Sequence, residues 1–306
     1  MSVESIVQQM LILLAFMVVG FIACRTNIID KVGNEKLNKV GLYICQPALV
    51  FAAVLNNELT YSKLEVLKFI GVDCLLFAVF IALSYVLTPL LRPTKESRGT
   101  FRFMLIFGNC AFMGYPVVAS LFGDGAIFLA SLMTLPFNLL SYSYGIVLMT
   151  GHGLKFDKKL FLNPAFISTL LSLVIFFCEI KAPYVICEVC DTLGDMTIPC
   201  AMLVIGATLG QMHIKTLFGD WRIYVLCVLR LIVIPVVAWL VCRLVVTDEL
   251  FFDVVVVQCT MPMAAVASIL SIEYKGDILS ASRGVFMTTV LSVVTVPLMT
   301  WLLLMH

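Results

Sequence analysis

Apolar residues in this chain run in blocks of roughly 20, the length a helix needs to cross a hydrocarbon core of about 30 Å. They fall at about residues 4–24, 37–56, 65–91, 98–121, 125–150, 161–180, 187–212, 217–246, 250–273 and 278–304, with short polar connections between them. The pattern predicts ten membrane-spanning helices. The longest polar connection, Gly151 to Lys159, leaves no room for a soluble catalytic or nucleotide-binding domain.

The fourth block cannot be one undisturbed helix. It contains N-C-A-F-M-G-Y-P from Asn109 to Pro116, preceded by Gly108. Proline removes a backbone donor and clashes with the preceding turn, and the glycines lower helix propensity. In lipid, the freed backbone groups must find partners inside the protein. A shift of 152 residues lays Pro47 on Pro199 and brings this broken block close to the ninth, which reads Q-C-T-M-P-M-A-A-V-A-S from Gln258 to Ser268. Five spans followed by five is an odd-numbered repeat, so residues 154–306 are expected to insert upside down relative to residues 1–153, the plan of many secondary transporters. Spans 4 and 9 are then expected to cross at mid-membrane with half-helix N-termini aimed at a common point. Partial positive charge collects there, and a carboxylate is the natural guest.

Composition agrees with this setting. With 61% hydrophobic and 13% charged residues, and a mean hydropathy of +1.07, the chain exceeds what a soluble globular domain carries. A net charge of +1 with no basic tract argues against nucleic acid as a partner. Fourteen Lys and Arg residues (Arg25, Lys31, Lys36, Lys39, Arg92, Lys95, Arg98, Arg102, Lys155, Lys158, Lys159, Lys215, Arg222 and Lys275) follow odd-numbered spans, whereas Lys63, Lys68, Lys181 and Arg243 lie on the opposite side. The positive-inside rule therefore predicts a protein of the cytoplasmic membrane with both termini outside. The first block begins near Glu4 with no basic region before it, so it is expected to remain as a helix rather than be removed as a signal peptide.

Candidate chemistry narrows the class further. Neither GxxxxGK[ST] nor GxGxxG occurs, so transport should draw on ion or substrate gradients, without a nucleotide or other cofactor. The eleven cysteines read mostly as small apolar residues, and the CxxC of Cys187 and Cys190 lacks the further ligands of a metal site. Nothing in the sequence resembles a catalytic set. His152, His213 and His306 all lie near span ends, and no enzyme activity is expected.

The segments Gly108 to Pro116, Val257 to Pro262 (V-Q-C-T-M-P) and Ile272 to Ser280 (I-E-Y-K-G-D-I-L-S) resemble the auxin efflux carrier family, which includes plant auxin exporters and bacterial permeases for malate and similar anions. F-I-G-V-D from Phe69 to Asp73, Arg230 with Pro235, and Gly194-Asp195 add to the resemblance, which covers essentially all ten spans. It implies an all-α fold of the sodium/proton-antiporter and bile-acid-symporter type. Spans 1, 2, 6 and 7 would form a scaffold, with spans 3–5 and 8–10 as a transport domain, working as an elevator in a homodimer. It also implies that Asn109 contacts a substrate carboxylate and that Asp73 supports the site. Met263, Ala267 and Phe77 depart from the plant pattern, so a compact bacterial permease is the nearer likeness and auxin a poor first guess.

The expected substrate contacts are Asn109, Cys110, Gly114 and Pro116 in the first break and Gln258, Pro262 and Met263 in the second. Asn109 either binds ligand or makes an interhelical hydrogen bond, and Gln258 has the mirrored choice. Charges within spans cost at least about 2.5–3.5 kcal/mol at mid-membrane, so Asp73, Asp195, Arg230 and Arg283 each need a partner or a wet cavity. Asp73 carries a coupling proton or holds an arginine; Arg230 is read first as the partner of a carboxylate. Arg283 either grips a second carboxylate, which favours a dicarboxylate such as malate, or reaches to the membrane surface. The expected function is secondary transport of small organic anions, with a proton or sodium as the coupling ion. The alternatives are an ion-coupled antiporter, a bile-acid-type symporter and a non-transporting sensor of the same fold.

Overall fold

The structure, a computed structural model, describes residues 3–55, 61–150, 164–211 and 219–304. The Gly151 to Lys159 connection, Lys215, and the three histidines lie outside them. The described residues are helical apart from turns and a single β-bridge between Gly108 and Met263. In chain order the helices are α1 (Val3–Arg25), α2 (Lys31–Val40), α3 (Gln46–Leu55), α4 (Lys63–Leu87), α5 (Ser97–Ile106), α6 (Gly114–Phe122), α7 (Ala126–Ser141) and α8 (Tyr144–Thr150). They continue as α9 (Pro164–Cys178), α10 (Tyr184–Asp195), α11 (Thr197–Gln211), α12 (Trp221–Val228), α13 (Ile234–Val245), α14 (Glu249–Cys259), α15 (Val266–Glu273) and α16 (Ile278–Leu304).

Among the described residues, six helical stretches are long and apolar enough to cross a membrane: Lys31–Leu55, Lys63–Leu91, Ala126–Thr150, Tyr184–Gln211, Trp221–Val245 and Ile278–Leu304. Leu11–Arg25 and Phe166–Cys178 are apolar but shorter. Large apolar side chains such as Leu11, Val86, Val174, Leu244 and Val294 are exposed along these helices, as a lipid-facing surface requires. The protein is therefore an integral membrane protein with several spanning helices.

Two of the stretches contain a widened π-turn, Gly41–Cys45 and Leu229–Val233, where Gln46 N–H reaches Gly41 O and Ile234 N–H reaches Leu229 O. Each lies just before a proline, Pro47 or Pro235. A proline donates no hydrogen bond and its ring crowds the carbonyl four residues back. Adding a residue to the preceding turn moves that carbonyl aside without ending the helix.

The chain divides into two compact units, each assembled from separated segments. The first comprises residues 1–68, 111–135 and 161–213; the second comprises 69–110, 136–160 and 214–306. In the first, α1 packs along α11, and α3 against α9 and α10. Glycines permit this approach: a Cβ on Gly206 would collide with the carbonyl of Met17, and one on Gly20 with the backbone of Leu203. Such backbone contact through small residues is how helices associate where lipid removes the hydrophobic drive. Asn34 Nδ2 donates to Thr208 Oγ1 at 2.9 Å alongside it. In the second unit, α13 packs on α14, α15 on α16, α5 on α8, and α12 on α16.

The glycine contacts set a stability test. Gly206→Ala should destabilise by about 1–3 kcal/mol through overpacking, lowering the melting temperature of the purified protein. Gly71→Ala, at an exposed position with nothing within 4 Å, should leave that temperature unchanged or raise it slightly.

Candidate functional site

The second unit holds a meeting point of two broken helices. Between α5 and α6 the chain leaves helical conformation at Phe107, whose φ of −101° and ψ of 109° are extended. Between α14, which ends at Cys259, and α15, which starts at Val266, the helix is interrupted as well. The two irregular segments pair with each other. Asn109 N–H donates to Pro262 O at 2.8 Å and Ala264 N–H to Phe107 O at 3.1 Å, flanking the antiparallel pair Gly108 and Met263. Backbone groups freed by each break are thus satisfied by the other, as burial away from water demands.

Arg230, from the widened turn before α13, locks this crossing. Its side chain is 2% exposed. Nη1 donates to Leu105 O at 3.1 Å, in the last turn of α5, and Nε donates to Met261 O at 3.2 Å, just past α14. These carbonyls belong to the C-terminal ends of two half-helices, where partial negative charge accumulates. The expected carboxylate partner of Arg230 is replaced by main-chain oxygens, and among the described residues no carboxylate pairs with it. Gly108 lies against the guanidinium: a Cβ there would occupy the place of Arg230 Nη2.

Side chains complete the frame. Gln258 is fully buried and its Nε2 donates to Cys110 O at 3.2 Å, bridging the second break to the first. Met263 N–H donates to Thr288 Oγ1 at 3.2 Å, and Gly284, one turn earlier on α16, packs against the Met263 and Met104 sulfurs. Phe107 stacks within a cluster of Phe103, Phe137 and Phe77, with ring centroids 4.5, 5.5 and 5.9 Å away. Phe77 occupies α4 one turn beyond Asp73. Asp73 is fully buried, with the Cys242 and Cys259 thiols as electrostatic neighbours, and neither carboxylate oxygen accepts a hydrogen bond from the described residues.

The structure thus brings Asn109, Cys110, Gln258, Pro262, Met263 and Arg230 to one place. Asn109 is distinctive among them: its backbone is tied to Pro262, but its half-buried side chain makes no hydrogen bond to the described residues. Arg283 lies half-buried on α16, next to Gly284. Gly114 and Pro116 belong to the first unit, in the first turn of α6. Pro116 is the third residue of that helix, where no intrahelical partner for an N–H exists, so it fits the start of a half-helix at no cost in hydrogen bonding. Asp195 ends α10 in the first unit and is exposed. Leu105 O, Met261 O and Thr288 escaped the sequence reading. Main-chain carbonyls leave no mark in a sequence, and a threonine one turn from a helical glycine is common.

Comparison with known proteins decides the class. The family described as "Membrane transport protein" matches residues 5–159 and 152–300 of the chain. The chain belongs to the auxin efflux carrier family. An uncharacterized transporter of Methanocaldococcus jannaschii is 27% identical over 303 residues, 96% of this chain and 97% of that protein. An uncharacterized transporter of Methanothermobacter thermautotrophicus is 26% identical over 297 residues, 95% of this chain and 96% of that protein. A protein of Rhizobium meliloti named "Putative malonate transporter" is 24% identical over 294 residues, 90% of this chain and 89% of that protein. Membership makes the protein a membrane transporter, and in this member of the auxin efflux carrier family the crossing of two helix breaks is the candidate site.

Each hydrogen bond to a charged group is worth about 1.5–3 kcal/mol. Gly108→Ala and Arg230→Leu should each destabilise by at least that much in thermal melts, and Arg230→Lys should not restore the loss, because one ammonium lacks the fork that spans both carbonyls. Asn109→Ala should stay within about 0.5 kcal/mol of the parent protein.

Proposed function

We propose that the protein is a secondary carrier of small organic anions, with dicarboxylates of the malonate and malate type as substrates. The observation that carries this reading is the Asn109 side chain. It is an amide with two donors, set beside a main-chain crossing that already holds a fixed cation, and it has no hydrogen-bond partner among the described residues. An asparagine so placed offers donors to a carboxylate, while the buried Arg230 charge favours an anion nearby. The name of the Rhizobium meliloti relative points the same way.

The ten-span reading is supported by addition: six long apolar stretches, two shorter apolar helices, and the two interrupted pairs α5/α6 and α14/α15. The equivalent breaks in the fourth and ninth spans support two inverted five-helix repeats, 1–153 and 154–306, with both termini outside the cytoplasmic membrane. On this reading the carrier works as an elevator within a homodimer, spans 1, 2, 6 and 7 forming the fixed scaffold. Gln258, Pro262 and Met263 shape the site around Asn109 within the second unit. Arg283, beside the α16 glycine that packs on Met263, takes the second carboxylate. Asp73, with no donor from the described residues, is the group for a coupling proton.

The test is uptake by protein reconstituted in liposomes, using radiolabelled malonate, malate and acetate, with and without pH and sodium gradients. Malonate or malate should accumulate faster than acetate. Asn109→Ala should lower uptake at least tenfold, the equivalent of losing one hydrogen bond to a charged group. Arg283→Ala should reduce dicarboxylate uptake and narrow the difference from acetate. Binding of these acids without uptake would favour a sensor instead, and transport of a cation with no carboxylate moved would overturn the reading.

A further inference from the structure

A second basic cluster lies in the same unit, apart from the crossing. After α4 the chain tightens into a 3-10 turn, Thr88–Leu91, closed by Arg92 in left-handed conformation with φ 46° and ψ 52°. A cavity of about 250 Å³ opens between this turn and α5, lined by Thr88, Pro89, Arg92, Pro93, Arg98 and Arg102. Three of six lining residues are arginines, and among the described residues none of the three forms an ion pair.

Arg102 is held in place. Its guanidinium stacks over the Tyr85 ring at 3.7 Å, and the Tyr144 hydroxyl donates to that of Tyr85 at 2.8 Å. Among the described residues Arg102 Nε is buried with no acceptor, and the fully buried Thr88 hydroxyl, on the cavity wall, also lacks a partner. Buried donors without acceptors are costly and rare in folded proteins. Here two of them border a cavity that adds two further guanidinium forks, Arg92 and Arg98, both exposed. Such a set suits an anion with several oxygens, which planar forks bind bidentately.

We propose that this cavity is a binding site for a phosphate group, supplied by the headgroup of an anionic phospholipid. An anionic phospholipid headgroup suits it better than a carboxylate, because its two charged phosphate oxygens are joined by two ester oxygens and, in phosphatidylglycerol, by hydroxyls, giving three guanidinium groups and a hydroxyl more acceptors than two carboxylate oxygens. The lipid source follows from the surroundings. Val86 and Leu90, on the same stretch of chain, are 67% and 64% exposed and offer apolar surface for acyl chains beside the charged opening. Tyr85 and Tyr144, joined to Arg102, are amphipathic rings of the kind enriched at membrane interfaces. The excess of Lys and Arg places this end on the cytoplasmic side, where basic pockets between helices collect anionic headgroups.

The test measures melting of the purified protein in neutral detergent during titration with phosphatidylglycerol, with phosphatidylcholine, and separately with inorganic phosphate against chloride. Phosphatidylglycerol should raise the melting temperature in a saturable way and phosphatidylcholine should not. Arg98→Gln, an exposed substitution that leaves the melting point in phosphatidylcholine unchanged, should weaken the apparent affinity at least fivefold, and Arg92→Gln likewise. Arg102→Gln should weaken it further, with the exposed variants carrying the test if that protein does not fold. If inorganic phosphate alone reproduces the shift, the phosphate site stands and free phosphate is its source. A shift that Arg98→Gln and Arg92→Gln leave intact, or none with either phosphate source, overturns the proposal. The readout is independent of transport, so it neither depends on nor decides the organic-anion reading.

Discussion

The Arg230 guanidinium, bonded at once to Leu105 O and Met261 O, is the contact on which the rest of the site depends. Two helix interruptions buried in the same unit expose carbonyl ends that carry partial negative charge, and an apolar interior offers them little else. One planar cation with a fixed fork satisfies both ends at a single point. The cost of burying it is offset because both acceptors are themselves ends of aligned peptide dipoles. Gly108 follows from the same constraint, since a side chain there would take the guanidinium's space. So does the short ladder around Gly108 and Met263, which fixes the two breaks in register.

That arrangement explains what sequence alone reveals about this chain. The breaks were legible because glycine and proline are visible letters: Gly108, Gly114, Pro116 and Pro262 interrupt apolar blocks that otherwise read as continuous helix. The apolar blocks themselves were legible because lipid demands length and hydropathy, and among the described residues six emerge as helical stretches of 25 to 29 residues. The partners of Arg230 were not legible. A buried arginine suggests a carboxylate, but here the acceptors are main-chain oxygens, which every residue possesses. The two π-turns were hidden for a related reason: Pro47 and Pro235 signal a disturbed helix without saying whether it bends, stops or widens by one residue.

Rigidity and openness are divided among the site residues. Gln258 Nε2, the Met263 amide and Thr288 Oγ1 are spent on the frame, the first through Cys110 O and the other two through each other, while the phenylalanines around Phe107 fill the space behind it. Asn109 shares the backbone ladder yet, among the described residues, keeps its side chain uncommitted. A side chain fixed at its root and unused at its tip is the arrangement that favours recognition, because ligand binding then costs little ordering and breaks no existing bond. The arginine cavity beside α4 and α5 shows the same physics, with Arg102 fixed by Tyr85 and its Nε left without an acceptor among the described residues.

The central claim is that a substrate carboxylate sits against Asn109 at the crossing. Solid-state NMR on the reconstituted protein, with malonate carrying 13C in its carboxyl groups and the asparagine side chains carrying 15N, measures this directly. The account predicts a dipolar coupling corresponding to about 3–4 Å, assigned by its disappearance in Asn109→Ala, since donor and acceptor atoms in a hydrogen bond lie about 3 Å apart. Bound malonate showing no coupling to the Asn109 amide, or binding unchanged in Asn109→Ala, would contradict it.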